Sequence, residues 1–261
     1  AVVILAHDKV YDEHGRLMLP QDFLIRRHMP TRAEYWLDES EDDLILHPRL
    51  PNAHKLYVEA TTDCNLQCRT CIRNVWSDPD AQMEAETFER ILESLAGLPD
   101  LKRVVFTSFG EPLSHPRFLE MIEQIRKHDL AVTVGSNGVL LTPEISRELV
   151  HLGVDRLVIS VDGVKPETYA GVRGASLAQV LENIRVLNES KRQLGSLNPA
   201  LGIEFVILKS NAAELGDLSG LAVHLGAARV LVSNVLPYTE EMRAEILYGH
   251  EPQEPFISGG F

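Results

Sequence analysis

The 261-residue chain predicts an α/β fold: an open, partial (β/α)6 barrel over residues 51–235, preceded by a small, mostly-β unit over residues 1–50. Three observations predict it. From residue 54 on, short apolar runs alternate with stretches whose apolar residues recur at i, i+3, i+4 and i+7, strand and helix in turn. That alternation is the signature of a parallel sheet covered by helices. The units stop at six, with 27 residues left after Asn234, whereas a closed barrel of eight needs two more.

In the first 50 residues, Val2–Ala6 reads as a strand and Asp12–Gly15 as a turn. Glu34–Trp36 and Leu44–His47 supply two further strands around the acidic turn Asp38–Asp43, and Leu50-Pro51-Asn52 marks a boundary. The six barrel strands are read at 56–60, 103–107, 131–135, 156–161, 202–208 and 230–234. Between them run apolar stripes: Phe88, Ile91, Leu92 and Leu95; Phe118, Met121, Ile122 and Ile125; Leu177, Val180, Leu181, Ile184 and Leu187; Leu215, Leu218, Leu221, Ala222 and Leu225. The helix after the third strand opens at Pro143, a residue suited to a first turn. A stripe recurring at the helical period in every helix is core, not a cofactor box. Residues 236–261, ending in the Pro- and Gly-containing Gly249–Phe261, read as a tail or linker toward a further C-terminal region.

Composition bounds the function. Apolar content of 44% and charged content of 24% suit a soluble globular protein. A formal net charge of −13 argues against a broad nucleic-acid-binding face but not against small anionic ligands. No apolar run approaches the ~18 residues of a membrane span. Residues 1–6 are too short for a signal peptide and lack a basic region before them. Free thiols without a disulfide framework point to the reducing cytoplasm.

The chemistry centres on residues 56–74. Cys64, Cys68 and Cys71 follow the first barrel strand directly, in a C-x3-C-x2-C arrangement, and are the only cysteines in the chain. Thiolate sulfur is a soft ligand for zinc, copper(I) or iron–sulfur clusters. Three is odd, so a disulfide would strand one thiol. Structural zinc wants four ligands, usually as two separated pairs, and no second C-x2-C pair or H-x3-5-H follows. The ten histidines form no metal-spaced set. A [4Fe–4S] cluster held by three cysteines accounts for the number better and leaves one iron open to a small molecule.

This loop resembles the cluster loop of the radical S-adenosylmethionine (SAM) enzymes. In that family the open iron chelates the amino and carboxylate groups of SAM. One electron then cleaves SAM to methionine and a 5′-deoxyadenosyl radical, which takes a hydrogen atom from substrate. The family usually has an aromatic residue before the third cysteine; here it is Thr70. The open half-barrel is also that family's core fold.

Functional groups in such barrels come from the C-terminal ends of strands. Thr107-Ser-Phe-Gly-Glu-Pro resembles the family's Gly-Gly-Glu-Pro motif, with Phe109 in place of the first glycine. The resemblance implies that Gly110, Glu111 and Pro112 receive the methionyl end of SAM, with Glu111 accepting from its amino group. A plain turn is the competing reading of this stretch. Ser136 and Asn137 in Gly-Ser-Asn-Gly suit ribose hydroxyls, although Asn-Gly is also a common turn. Strand alternation puts Ser160 and Asp162 on one face, and a carboxylate inside a barrel is costly unless paired or functional. By resemblance Ser160 and Arg173 meet the SAM carboxylate, Asp162 meets ribose or substrate, and adenine packs near Ile207 or Leu208. Glu59 is a further inward carboxylate for substrate.

Two narrower resemblances follow. The stretch x-Asp-x-x-Gly-Arg-x-x-Leu-Pro within residues 11–20 resembles the AbrB/MazE-like swapped-hairpin regulators, where it forms dimers. Residues 1–50 carry six Lys/Arg against ten Asp/Glu, which favours dimerisation or partner docking over DNA contact. That unit, combined with Cys-Arg-Thr-Cys-Ile-Arg-Asn-Val-Trp, is similar to the radical SAM maturases of tungsten-cofactor oxidoreductases. The implied partners are a peptide, protein or cofactor-precursor substrate and an electron donor such as a ferredoxin or flavodoxin. Two other readings remain: an iron–sulfur redox-sensing regulator acting through the N-terminal unit, and structural zinc.

Overall fold

The structure, a computed structural model, describes residues 2–5, 25–26, 35–39, 43–48, 53–107 and 109–247. The chain divides into two compact units. The first contains a three-stranded antiparallel sheet of β1 (Val2–Leu5), β2 (Tyr35–Glu39) and β3 (Asp43–Pro48), in the order β1-β3-β2. β1 and β3 cover the strands expected at Val2–Ala6 and Leu44–His47, whereas β2 runs on through Asp38 and Glu39, expected as part of the acidic turn. The AbrB/MazE-like stretch, its turn, the boundary at 50–52 and the terminal Gly249–Phe261 lie outside the described residues.

The second unit is built on six strands: β4 (Lys55–Val58), β5 (Arg103–Phe106), β6 (Ala131–Ser136), β7 (Arg156–Ser160), β8 (Ala200–Ile207) and β9 (Arg229–Asn234). All pairs are parallel, each strand beside the next in sequence, and β4 and β9 are not joined. The barrel is therefore open, as the count of units requires. Helices α1 (Ala85–Ser94), α2 (Phe118–Arg126), α3 (Pro143–His151), α4 (Pro166–Arg173), α5 (Leu177–Gln193), α6 (Leu215–His224) and α7 (Glu240–Glu245) accompany the strands.

Side-chain parity sorts the sheet into two faces. Val104, Phe106, Val132, Val134, Leu157, Ile159, Leu201, Ile203 and Phe205 are buried, and each such side chain contributes on the order of 1.5–3 kcal/mol by leaving water. Phe106 meets Phe118 of α2 edge-on, ring centroids 5.2 Å apart. The opposite parity carries Glu59, Thr107, Ser160 and Glu204 toward the C-terminal ends of the strands. Helix starts follow local chemistry: Thr142 accepts from the Ile145 N–H at 3.2 Å just before Pro143, and Ser176 caps α5.

Two helices also depart from expectation. Residues 166–173, to which the sequence reading assigns no element, form α4. Part of the expected tail forms α7, whose Met242 is 1% exposed and packs with Val172, Leu208 and Val235. Six residues are too few for a helical period to show in sequence, and a helix that short forms only where packing holds it. Among the described residues, no helix is long and apolar enough to cross a membrane.

Candidate functional site

The cysteine loop leaves β4 and crosses the C-terminal end of the sheet. Its shape is held by backbone donors: the Cys71 N–H to the Cys68 carbonyl at 3.0 Å, the Asn74 N–H to the Cys71 carbonyl at 3.2 Å, and the Arg69 N–H to the Val172 carbonyl of α4 at 2.8 Å. Asn74 Nδ2 adds a bond to the Cys68 carbonyl at 2.9 Å. All three thiols are half-buried. Cys64 Sγ accepts from the Leu66 N–H at 3.4 Å and from Asn137 Nδ2 at 3.9 Å, and the Cys68 thiol donates to the Arg173 carbonyl at 3.9 Å. Thr70 is half-buried in the turn between Cys68 and Cys71.

The thiols share one electrostatic space. Burial pushes the Cys68 thiol up to about 11; Arg173 opposes this, and Asp162 and the other two cysteines add to it. Cys64 is also raised, by burial first and in part by Glu111 and Cys71. Both shifts favour the protonated thiol of Cys64 and of Cys68, so metal binding there must release protons.

Among the described residues, no three His, Cys, Asp or Glu side chains gather around a point that could hold a single metal ion. A lone tetrahedral ion with bonds of ~2.3 Å to sulfur would draw its thiolates together. A cubane spreads its cysteines over separate irons. Three half-buried thiols on one loop can serve as that second donor set.

Glu111 binds the neighbouring strand ends together. It is 1% exposed and accepts from Ser136 Oγ at 2.8 Å, the Asn137 N–H at 2.7 Å and the Leu113 N–H at 3.1 Å. Burial raises its pKa despite these donors. Pro112 opens the short 3-10 turn that Glu111 caps. Ser136 also accepts from the Gly138 N–H at 3.0 Å, while Asn137 donates to Asn65 Oδ1 at 2.8 Å and accepts from the Val139 N–H at 2.9 Å. The side chains of Glu111, Ser136 and Asn137, expected at the SAM site, each meet protein partners here. They hold the cysteine loop against the β5 and β6 ends.

Gly110 has a similar explanation. A Cβ there would sit 2.5 Å from the Asp63 carbonyl oxygen and closer still to that of Thr61, both backbone atoms. Gly110→Ala should therefore destabilise the fold by about 3 kcal/mol, the upper part of the overpacking range. A urea midpoint lowered at unchanged slope would show it.

The second half of the site joins β7, α4 and the cysteine loop. Asp162 is fully buried; it accepts from Arg173 Nη1 at 2.8 Å and from the Val206 N–H of β8 at 2.8 Å. Burial alone would lower the Arg173 pKa, but Asp162 and Cys68 more than offset that and raise it. Among the described residues the buried Arg173 Nε has no hydrogen-bond partner, an orphan donor suited to an anionic group. Glu214 fixes the start of the same segment, accepting from the Val164 and Lys165 N–H groups and the Thr168 hydroxyl. Ser160 is half-buried on the inner face, in register with Glu204. Glu59 accepts from the Phe109 N–H at 2.9 Å.

The structure thus brings together the three cysteines, Glu111, Ser136, Asn137, Asp162 and Arg173, with Ser160 on the same strand end. Leu208 is not part of that surface. Expected to face adenine, it is 0% exposed and packed with Met242 under α7; the correction follows from α7, which the sequence reading left out. Ile207 is likewise buried at 2% exposure. Three features had no sequence signal: Glu204, raised by burial and by Asp162; the edge-on Trp76–Phe109 pair at 5.2 Å; and the contacts of Arg69 to α7.

Comparison with known proteins converges on this region. The chain is 37% identical over 194 residues to the tungsten-containing aldehyde ferredoxin oxidoreductase cofactor-modifying protein of Pyrococcus furiosus, covering 74% of this chain and 54% of that one. It is 30% identical over 192 residues to the AdoMet-dependent heme synthase of Methanosarcina barkeri, covering 72% and 52%. The chain therefore spans about half the length of these relatives. The structure of Streptococcus suis SuiB bound to S-adenosylmethionine shares the fold, with a TM-score of 0.62 and 17% identity over 78% of this chain and 45% of that one. The family model of the radical SAM superfamily matches residues 58–204, more than half of the chain, and the chain belongs to that superfamily.

Proposed function

We propose that this chain is the SAM-cleaving portion of a maturase that modifies a peptide, protein or cofactor precursor, with maturation of a tungsten-dependent oxidoreductase as the specific case. The observation that carries the reading is the meeting of three cysteines on one loop with a buried arginine whose Nε has no partner among the described residues. Cys64, Cys68 and Cys71 would hold a [4Fe–4S] cluster, and SAM would lie against it. When bound, these groups supply one-electron cleavage of SAM and the 5′-deoxyadenosyl radical that abstracts hydrogen. The protein's residues supply binding and orientation. Arg173 offers a charge-assisted donor to the SAM carboxylate, Ser160 a hydroxyl beside it, and the Glu111–Ser136–Asn137 network holds the loop in place while Asp162 keeps Arg173 aimed.

Similarity to the cofactor-modifying protein of Pyrococcus furiosus supports the tungsten-cofactor case. A ferredoxin or flavodoxin as electron donor, dimerisation through residues 1–50, and a cytoplasmic setting complete the proposal. The test is anaerobic reconstitution with iron and sulfide, followed by reduction in the presence of SAM. The expected result is a brown protein with iron–sulfur absorbance that releases 5′-deoxyadenosine. A colourless, zinc-bearing protein would overturn the reading. So would a cluster that leaves SAM intact.

A further inference from the structure

Arg69 stands between Cys68 and Cys71 in the loop, and its side chain reaches α7. Its Nε donates to Glu241, its Nη2 donates to Glu245 at 2.6 Å, and its backbone N–H donates to the Val172 carbonyl at 2.8 Å. The Glu245 side chain is 14% exposed and also binds the loop after β8, accepting from the Ser210 N–H at 3.0 Å while its carbonyl accepts from the Lys209 N–H at 2.9 Å. Burial pushes the Glu245 carboxyl up, and the donors from Arg69 and Ser210 more than reverse that, leaving it lowered. The hydrogen bonds to Glu241 and Glu245 raise Arg69 in turn. Below them Met242 anchors α7 in the cluster with Val172 and Leu208. One planar fork thus ties the cysteine loop to a helix 172 residues further along the chain.

We infer that Arg69, gripped by Glu241 and Glu245 of α7, is a positioning residue for the iron–sulfur cluster: it holds the Cys68 turn in place and sets the charge beside it. The inference rests on the cluster proposed above. Partners outside the ligand set tune metal retention, typically by ~10–100-fold, and a cluster's potential follows the net charge around it. The arginine contributes one positive charge and the glutamates two negative ones, so the two sides of the contact must act on the potential with opposite sign.

The experiment compares reconstituted full-length wild type with Arg69→Gln, Arg69→Lys and Glu245→Gln, measuring iron loss to a chelator and the cluster's reduction potential. Iron should leave all three variants faster, by about tenfold or more for Arg69→Gln. The potential should move negative in Arg69→Gln and positive in Glu245→Gln, and stay near wild type in Arg69→Lys, which keeps the charge but not the fork. A thermal melt of each cluster-free variant identifies any that is misfolded, in which case Glu241→Gln takes its place. Potentials that all shift one way, or iron retention equal to wild type, would overturn the inference. Wild type that binds no iron would instead sink the proposed function, so the two failures are distinguishable.

Discussion

Cys68→Ala yields a protein that folds but holds little iron and releases no 5′-deoxyadenosine. Cys68 is half-buried, and its thiol makes one long bond, to the Arg173 carbonyl at 3.9 Å. Losing it removes little packing, and the cluster-free variant should unfold within about 1 kcal/mol of wild type. Iron retention should fall by more than the ~10–100-fold that loss of an outer partner costs. The readouts are iron per chain and iron–sulfur absorbance after anaerobic reconstitution, alongside urea unfolding without iron. A Cys68→Ala protein that reconstitutes to the wild-type iron content would remove the loop from the chemistry altogether.

Arg173→Met carries the largest expected effect on stability. It strips the guanidinium from Asp162, which is 0% exposed and, among the described residues, keeps the backbone N–H of Val206 as the donor to its carboxylate. Breaking a buried pair from one side costs about 3–5 kcal/mol, because the other charge is left stranded. The double variant Asp162→Asn/Arg173→Met should recover much of that loss, since no uncompensated charge then remains. Urea midpoints for the two single variants and the double variant close a thermodynamic cycle. An Arg173→Met protein as stable as wild type would show that water already reaches Asp162. The double variant should still bind SAM poorly, because the buried guanidinium that faces Cys68 is gone.

Much of the fold was legible because its signals are local and repeated. Each barrel strand is an apolar run closed by a polar or glycine-rich end, and four of the helices carry stripes such as Phe118, Met121, Ile122 and Ile125, all buried in the structure. The count of six units also predicted the open sheet. What escaped was short or non-local. α4 has Gly171 within it and few apolar residues, and α7 has six residues, so neither shows a helical period. The misreading of Leu208 follows from α7: without that helix the residue lies at an open strand end, and with it the residue is core.

The site divides along the same line. The cysteine spacing picked out the candidate ligand atoms, because such a loop returns a sulfur every three or four residues. The Gly-Glu-Pro and Gly-Ser-Asn-Gly stretches could be located at strand ends, but not what their side chains touch. Glu111 accepts from residues 25 and 26 positions away, and Arg69 donates to one 172 positions away.

By itself, then, the sequence determined the order of the strands and of the longer helices, the openness of the barrel and the three thiols, since periodicity and spacing are properties of the chain within a few residues. Only the tertiary structure decided that Asp162 pairs with Arg173, that Glu111 ties strand ends together and that α7 grips the cysteine loop. A buried charge or hydrogen-bonding group must find its partner wherever folding brings one within 3 Å or so, and no local pattern records which residue that is.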